Sequence, residues 1–240
     1  MPSSLLILGA GYVGRELAAR FPDVVCTRRR VEEPESRLLH FDLADSSTWS
    51  GLPVEGRRVV WTFPAAPPDA VGEFHRSVLA RAASLIVLGS TSAYLVHQTD
   101  ERVDENHPLD MSRPRVEGEE WLRGQGALIL QLAGIFGPER EPARWLAKGK
   151  IRNGRKRVNL IALDDILDVI GYFLENPRPG ERFNVSNGQS PTWNELLARF
   201  QGRGMLTDVG LPQHPPGPTS KRIDSRKLHA LFPGKTWLEP

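Results

Sequence analysis

The fold of this chain is decided by Leu5-Leu6-Ile7-Leu8, which leads directly into Gly9-Ala10-Gly11-Tyr12-Val13-Gly14. A short apolar run predicts a buried parallel strand, and the residues after the glycines continue as a helix. In this G-x-G-x-x-G spacing, Gly9 permits a tight turn, Gly11 lets the backbone approach a pyrophosphate, and Gly14 lets the helix pack closely on the strand. The pattern predicts a dinucleotide-binding loop made of all six residues, with a plain strand–helix turn as the alternative.

A second signal concerns the kind of dinucleotide. In an NAD-binding domain, an Asp or Glu about 20 residues after the first glycine binds the ribose 2′-hydroxyl. Here the second strand, residues 23–27, ends at Arg28-Arg29-Arg30, and the first carboxylate after it is Glu32. Guanidinium groups bind a phosphate through bidentate, charge-assisted hydrogen bonds. Arg28 and Arg29 therefore predict NADP rather than NAD, and a solvated basic turn is the alternative.

Composition favours a soluble, cytoplasmic protein of 240 residues. Its formal net charge of +2 does not favour a nucleic acid or membrane partner. The single cysteine, Cys26, excludes an internal disulfide. No apolar run reaches the roughly 18 residues of a membrane span, and no signal peptide is expected. The six histidines are not spaced as metal ligands, so we expect no metal site.

Strand and helix patterns alternate along the chain. Strands are expected at 37–40, 58–63, 84–88 and 127–132, with helices over 69–83 and 115–123. This order predicts an α/β fold, a Rossmann-type doubly wound parallel sheet whose ligands bind beyond the carboxyl ends of the strands. Side chains at those ends complete the predicted cofactor site: Asp42, Leu43, Phe63, Pro64, Gly134 and Ile135. Asp42 would accept from an adenine amino group, although helix capping explains it nearly as well.

After Pro138 the pattern becomes less regular. A short helix over 142–148, a strand over 157–161, a helix over 164–174, a strand over 182–185 and a helix capped by Thr192 are expected, and 212–218 is expected to be a loop. We therefore predict a dinucleotide-binding domain over 1–138, to which 157–187 returns. The segments 139–156 and 188–240 then form a small, discontinuous C-terminal substrate lobe.

Several segments together resemble the extended short-chain dehydrogenase/reductases, the NAD-dependent epimerase/dehydratase family. The resemblance covers nearly the whole length. Besides the glycine loop, the segments are Leu88-Gly89-Ser90-Thr91-Ser92-Ala93-Tyr94, Val103-Asp104-Glu105-Asn106-His107-Pro108, Leu132-Ala133-Gly134-Ile135-Phe136-Gly137-Pro138, Asn159-Leu160-Ile161-Ala162-Leu163-Asp164-Asp165 and Arg182-Phe183-Asn184-Val185. No single segment is specific, but the combination is.

The resemblance implies catalysis by a Ser or Thr, a Tyr and a Lys, the last two spaced Tyr-x-x-x-Lys. Ser90 matches the family's Ser/Thr. Met111 stands at the Tyr position and Arg115 at the Lys position, and Tyr-x-x-x-Lys occurs nowhere in the chain. Methionine has no proton to transfer, whereas Arg115 can still contact ribose and phosphate. Ser90 and Tyr94 are therefore the candidate catalytic residues of an atypical member.

Two functions follow from this interpretation. The first is an NADP-dependent oxidoreductase or isomerase that uses Ser90, Tyr94 or a bound water as its acid/base. Its substrate would be an unknown small carbonyl compound or sugar-like molecule. The second is a catalytically silent dinucleotide-binding sensor or regulator. A monomer or homodimer without a nucleic acid or membrane partner is expected in either case.

Overall fold

The computed structural model describes residues 5–21, 23–31, 37–217 and 220–240. Glu32 and residue 218, the last of the loop expected over 212–218, lie outside the described residues. The chain divides into two compact units. Unit 1 comprises residues 1–93, 110–131 and 167–182, and unit 2 comprises residues 94–109, 132–166 and 183–240. The predicted domains differ from these units chiefly at 94–109 and 157–166, which belong to unit 2.

The main feature is a seven-stranded parallel sheet, which confirms the predicted α/β fold class. Its strand order is β10-β7-β5-β4-β1-β2-β3. The strands are β1 (Leu5–Leu8), β2 (Val25–Arg28), β3 (Leu38–His40), β4 (Arg58–Trp61), β5 (Ser84–Ser90), β7 (Leu128–Leu132) and β10 (Arg182–Val185). All four residues of β1 are buried, as expected for a central parallel strand.

Helices connect the strands of the sheet. They are α1 (Tyr12–Arg20), α2 (Pro68–Ser77), α3 (Pro114–Gly124) and α5 (Leu163–Glu175), with short 3₁₀ turns at Ser46–Thr48, Leu79–Arg81 and Thr91–Ala93. The register places Leu6 beside Val25 on one side and Val59 on the other. One core cluster of unit 1 includes Trp61 and Phe74, which are fully buried with ring centroids 5.8 Å apart. This core fixes the strand ends that form the candidate site.

Unit 2 contains shorter elements. They are β6 (Glu101–Val103), β8 (Gly134–Phe136), α4 (Pro142–Ala147), β9 (Leu160–Ala162), α6 (Trp193–Gly202), β11 (Lys221–Ile223) and α7 (Arg226–His229). Two parallel pairs form, β6 with β11 and β8 with β9. Helix α6 begins with the predicted cap: the Thr192 hydroxyl accepts from the Glu195 amide, and the Glu195 carboxylate accepts from the Thr192 amide.

Two predicted elements need correction. The helix expected over 69–83 ends at Ser77, whose hydroxyl donates to the Glu73 carbonyl oxygen at 2.8 Å, and a 3₁₀ turn follows. The strand expected over 157–161 begins only at Leu160, because Arg157 forms an isolated antiparallel bridge with Thr192. Four elements of unit 2 were not predicted from the sequence: β6, β8, β11 and α7.

Candidate functional site

The glycine turn connects β1 to α1 in a conformation that requires glycine at its first position. Gly9 has φ +96°, a region that side chains strongly disfavour. Its amide donates to the Thr27 hydroxyl at 3.0 Å, and its carbonyl oxygen accepts from the Thr62 hydroxyl at 2.6 Å. A Cβ atom at Gly9 would lie 2.8 Å from Thr62 Oγ1 and from the Phe63 ring. Neighbouring strands therefore fix the turn on both sides.

The second and third glycines differ in what surrounds them. Gly11 is the N-cap of α1. Among the described residues, no side chain caps this helix end, and a Cβ atom built on Gly11 would meet nothing within 4 Å. A Cβ atom on Gly14 would instead overlap the carbonyl oxygen of Gly9. Gly14 is therefore needed for close packing of helix on turn, whereas Gly11 leaves open space in front of a helix N-terminus. Such a terminus attracts anions through its unpaired amides and its dipole.

A cavity of about 580 Å³ opens beside this turn, entirely within unit 1. It is lined by residues from the ends of four neighbouring strands and the loops after them. These are Gly9, Ala10, Gly11, Thr27, Arg28, Arg29, Phe41, Asp42, Leu43, Ala44, Phe63, Pro64, Ala66 and Pro67. Nine of the predicted cofactor residues thus meet in one cavity, with a volume in the range of small-molecule sites.

One side of the cavity carries the positive charge. Arg28 and Arg29 are exposed; Arg28 Nε lies 3.4 Å from the Ala10 carbonyl oxygen, which brings its guanidinium next to the glycine turn. Arg29 Nε lies 3.9 Å from Asp42 Oδ2. Asp42 accepts from the Ala44 amide at 3.0 Å, so its carboxylate is held by the following turn. An exposed, long ion pair of this kind stabilises little and leaves both guanidiniums available to a ligand.

Another part of the cavity lining is apolar. Phe41 and Leu43 are buried, and the Phe41 and Phe63 ring centroids lie 6.1 Å apart. Pro64 and Pro67 complete this wall. The cavity thus combines a helix N-terminus, two guanidiniums, one carboxylate and an aromatic wall. This arrangement suits a ligand that has both phosphate groups and a planar ring.

The two candidate catalytic hydroxyls have different surroundings. Ser90 ends β5 in unit 1 and is partly exposed; its oxygen accepts from the Ser92 amide at 3.2 Å and lies 3.1 Å from the Ser92 hydroxyl. Tyr94 belongs to unit 2 and is 4% exposed, and its hydroxyl donates to Asn184 Oδ1 at 2.6 Å. A buried, hydrogen-bonded tyrosine packed against Val103 fits a structural role. The Ser90 oxygen is the more accessible of the two.

Arg115 is held by a buried carboxylate. Its Nε and Nη2 donate to Glu119 Oε1 at 2.9 and 2.7 Å, and Gln131 Nε2 donates to Glu119 Oε2 at 3.2 Å. Glu119 and Gln131 are both fully buried. A Cβ atom on Gly89 would lie 2.5 Å from Gln131 Oε1, so Gly89 makes room for this group directly before Ser90. Burial raises the pKa of the Glu119 carboxyl, and the charge of Arg115 opposes the rise only in part.

The raised pKa of Glu119 leads to a pH prediction. The folded state binds this proton more tightly than the unfolded state, so the stabilisation is complete below the usual pKa of 4.5 and is lost as pH rises through the folded pKa. Glu119→Gln keeps the shape without the charge. We expect the variant to gain unfolding free energy relative to wild type as pH rises from 4 to 7. Urea unfolding across this range measures the difference, and Glu117→Gln, on the exposed face of α3, is the control. A difference that is constant with pH would contradict the prediction.

Other predicted site residues lie outside the cavity. Tyr12, Val13 and Gly14 begin helix α1, where Val13 is buried. Gly134 and Ile135 belong to unit 2, where β8 pairs with β9.

Met111 is 50% exposed and lies three residues before α3, in a turn. Met111 and Arg115 therefore do not lie on one helix, because α3 begins only at Pro114.

Sequence reasoning missed Thr27 and Thr62. Their hydroxyls hold the amide and the carbonyl oxygen of Gly9. Both residues lie at or just beyond a strand end that was already predicted to face a ligand, and this position was the available signal.

The described residues contain neither a membrane-spanning helix nor a cluster of metal-binding side chains. None of the helices in the described ranges is long and apolar enough to cross a membrane. Among the same residues, no three His, Cys, Asp or Glu side chains are grouped so that they could hold a metal ion.

The chain is similar to several known proteins. No protein-family model matches it. Protein YeeZ of Escherichia coli K12 is 31% identical over 228 residues, covering 82% of this chain and 83% of YeeZ. A structure of a candidate NAD-dependent epimerase/dehydratase from Methylobacillus flagellatus superposes with a TM-score of 0.73 at 23% identity, covering 96% of this chain and 92% of that one.

Two further structures have lower sequence identity but the same fold. A short-chain dehydrogenase/reductase superfamily protein from Agrobacterium tumefaciens, with bound NAD, gives a TM-score of 0.75 at 16% identity and covers 98% of this chain and 93% of its own. The ADP-L-glycero-D-manno-heptose-6-epimerase of Helicobacter pylori gives a TM-score of 0.72 at 15% sequence identity. The match covers 99% of this chain and 92% of that one.

Proposed function

The chain belongs to the same family as Escherichia coli YeeZ and has the epimerase/dehydratase fold of the short-chain dehydrogenase/reductases, and on this premise we propose that it binds NADP(H) and acts as an oxidoreductase or isomerase. The observation that supports this most is the cavity beside the glycine turn. Gly11 gives a pyrophosphate access to the N-terminus of α1, and Arg28 and Arg29 stand where a ribose 2′-phosphate would be bound. We propose that Asp42 and Leu43 hold the adenine.

The chemistry proposed for this chain depends on few groups. A bound nicotinamide would supply or accept a hydride. The Ser90 hydroxyl, at the end of β5, would donate a hydrogen bond to a carbonyl oxygen of the substrate and stabilise the negative charge that develops there. Arg115, held by Glu119, would contribute positive charge but not proton transfer, because a guanidinium does not deprotonate in proteins. The substrate class we propose is a small carbonyl compound or a sugar-like molecule.

A second candidate is a dinucleotide-binding sensor without catalysis. It is favoured by the surroundings of the Tyr94 hydroxyl, which is buried and donates to Asn184, and by the exposed Met111 at the position where the family has its acid/base. A binding protein needs the glycine turn and the basic side of the cavity but no acid/base group. Both candidates require NADP(H) binding, so this binding is tested first.

The experiment is titration calorimetry of the full chain with NADPH and NADH. We expect NADPH to bind more tightly, because Arg28 and Arg29 interact with the additional phosphate. Absence of binding for both nucleotides would refute both candidates. Binding of NADPH would then be followed by NADPH oxidation assays across a panel of aldehydes, ketones and nucleotide sugars.

Ser90→Ala is expected to lower any NADPH oxidation found in that panel by about 10²- to 10³-fold, the usual loss on removing one oxyanion-stabilising donor. NADPH affinity should not change, because Ser90 does not line the cavity beside the glycine turn. Ser77→Ala is the control, because Ser77 is an exposed serine of unit 1 at the end of α2, and its hydroxyl donates within that helix. Activity that survives both Ser90→Ala and Tyr94→Phe would place the catalytic groups elsewhere, and a silent panel with tight NADPH binding would favour the sensor.

A further inference from the structure

Unit 2 contains a second cavity, which the proposed dinucleotide site does not use. It has a volume of about 490 Å³, and all of its lining residues belong to unit 2. Four arginines line it, together with one carboxylate, that of Asp224. The arginines are Arg102, Arg157, Arg222 and Arg226. Since a guanidinium stays charged at any physiological pH, the cavity carries an excess of fixed positive charge.

Two of these arginines occupy paired positions on neighbouring strands. Arg222 of β11 lies opposite Arg102 of β6, and both side chains point to the same face. The flanking pairs are complementary: Lys221 lies opposite Glu101, and Ile223 lies opposite Val103 in the core. Of the three pairs in this ladder, this is the one that brings two like charges together. Asp224 offsets the charge of Arg102, and an anion bound beside Arg222 would offset the second charge.

Asp224 orders the cavity without neutralising it. Its side chain is 8% exposed and binds two of the arginines: Arg102 Nη2 lies 2.8 Å and Arg226 Nη2 lies 2.9 Å from Oδ2. Hydrogen bonds from Arg226 and Arg102 lower the pKa of the Asp224 carboxyl despite its burial, which alone would raise it. The carboxylate therefore stays ionised and holds both guanidiniums in place. Because these two side chains are already ordered, they lose less conformational entropy when a ligand binds.

The other two arginines differ in their partners. Arg157 Nε donates to Asp100 Oδ2 and its Nη1 to the Ser190 carbonyl oxygen, each at 2.7 Å. Within the described residues, no hydrogen bond or ion pair closer than 4.0 Å is recorded for Arg222, and its side chain is exposed. Asp100 and Asp224, the two carboxylates that bind these arginines within 4.0 Å, are outnumbered by the four guanidiniums. Arg222 is the member whose guanidinium makes no such close ion pair; the charge of Asp100 acts on it only from a greater distance.

We propose that this cavity binds the phosphate or diphosphate group of a small molecule, with Arg222 and Arg102 as its principal ligands. Guanidinium forks match phosphate oxygens in a bidentate geometry, and a phosphate offers enough acceptor oxygens to bridge two of them. The cavity is larger than one phosphate group needs, so the rest of the molecule has space beside it. The residues that line it include no Phe, Tyr or Trp for base stacking, which argues against a single-stranded nucleic acid.

The test is calorimetric titration of the full chain with inorganic phosphate and with pyrophosphate, at constant ionic strength. It is performed on wild type and on Arg28→Gln/Arg29→Gln, which removes the positive charge of the other cavity. We expect phosphate binding to persist in the double variant and pyrophosphate to bind more tightly than phosphate. Arg222→Gln should weaken both by about ten-fold or more, the usual effect of losing one charged hydrogen-bond pair.

The control is Arg155→Gln, which removes the same charge from an exposed site in unit 2 that does not line the cavity. It should change the affinity less than about two-fold. Thermal unfolding gives a second readout. Without phosphate, Arg222→Gln should unfold at the same or a higher temperature than wild type, because the Arg102–Arg222 repulsion is gone. Phosphate should then raise the unfolding temperature of wild type but not of the variant.

Three results would overturn the proposal. One is phosphate binding that disappears in Arg28→Gln/Arg29→Gln but persists in Arg222→Gln, which would assign the anion to the first cavity. Another is an equal loss in Arg155→Gln and Arg222→Gln, which would indicate non-specific charge attraction. The third is binding of a single-stranded oligonucleotide without any binding of phosphate or pyrophosphate, which would assign the surface to a polyanion.

Discussion

Gly11→Val is expected to abolish NADPH binding while leaving the protein folded. A Cβ atom on Gly11 meets nothing within 4 Å, and the backbone φ of −81° is open to any residue, so the chain itself tolerates the change. The new side chain projects into the space in front of helix α1 that a pyrophosphate would occupy. Displacing the pyrophosphate loses several charge-assisted hydrogen bonds of about 1.5–3 kcal/mol each, so we expect at least a hundred-fold loss of affinity, measured by calorimetry.

The matched control for this substitution is Gly51→Val. Gly51 also has nothing within 4 Å of its Cβ position and belongs to unit 1, but it lies away from the cavity. Both variants should unfold within a few degrees of wild type, and only Gly11→Val should lose the nucleotide. Gly14→Ala should instead be destabilised, because its methyl group would overlap the Gly9 carbonyl oxygen. Undiminished NADPH binding by a folded Gly11→Val protein would contradict the role given to this turn.

The parts of the site that could be predicted from sequence are those set by local spacing. The strand, the glycine turn and the helix are contiguous, so their pattern is visible in Leu5–Arg20 alone. Arg28, Asp42 and Phe63 followed from a single rule, that the carboxyl ends of parallel strands meet at one edge of the sheet. These residues do line one cavity with the glycines. Local pattern together with a topological rule therefore predicts residues that line this cavity.

The parts that could not be predicted depend on pairing between distant segments. Strands β6 and β11 have three residues each and are 120 positions apart in register, and neither run is long enough to show a period. The Arg102–Arg222 pair could not be predicted either, because it depends on the pairing of these two strands. The four-residue spacing of Arg115 and Glu119 is enough to predict their ion pair on one helix. No pattern in the sequence predicts that Gln131 binds the same carboxylate. The burial of Tyr94 likewise follows from its contact with Asn184, 90 residues away.

Replacing both arginines of the first cavity, Arg28→Asp with Arg29→Asp, is expected to reverse the preference from NADPH to NADH. In wild type the two guanidiniums line the cavity, and among the described residues neither has a strong partner: Arg28 Nε is 3.4 Å from a carbonyl oxygen, and Arg29 Nε is 3.9 Å from Asp42. A 2′-phosphate can therefore bind them without breaking a strong ion pair. Each charge-assisted bond contributes about 1.5–3 kcal/mol, so losing both should weaken NADPH binding by about a hundred-fold or more.

The gain for NADH has a different origin. A carboxylate at the end of β2 can accept a hydrogen bond from the ribose 2′-hydroxyl, as in NAD-binding domains, and it repels a 2′-phosphate. The matched control is Arg30→Asp, an exposed arginine that follows the pair directly but does not line the cavity. It makes the same charge change as one of the two substitutions, half that of the double variant, and should leave the order of affinities as in wild type. Competitive calorimetry with both nucleotides, repeated at low and high salt, separates direct phosphate binding from general attraction, because only the latter is strongly screened. Equal affinities of the wild-type protein for NADPH and NADH would refute the role of Arg28 and Arg29. A reversal of the preference by Arg30→Asp alone would show that net charge, not position, selects the nucleotide.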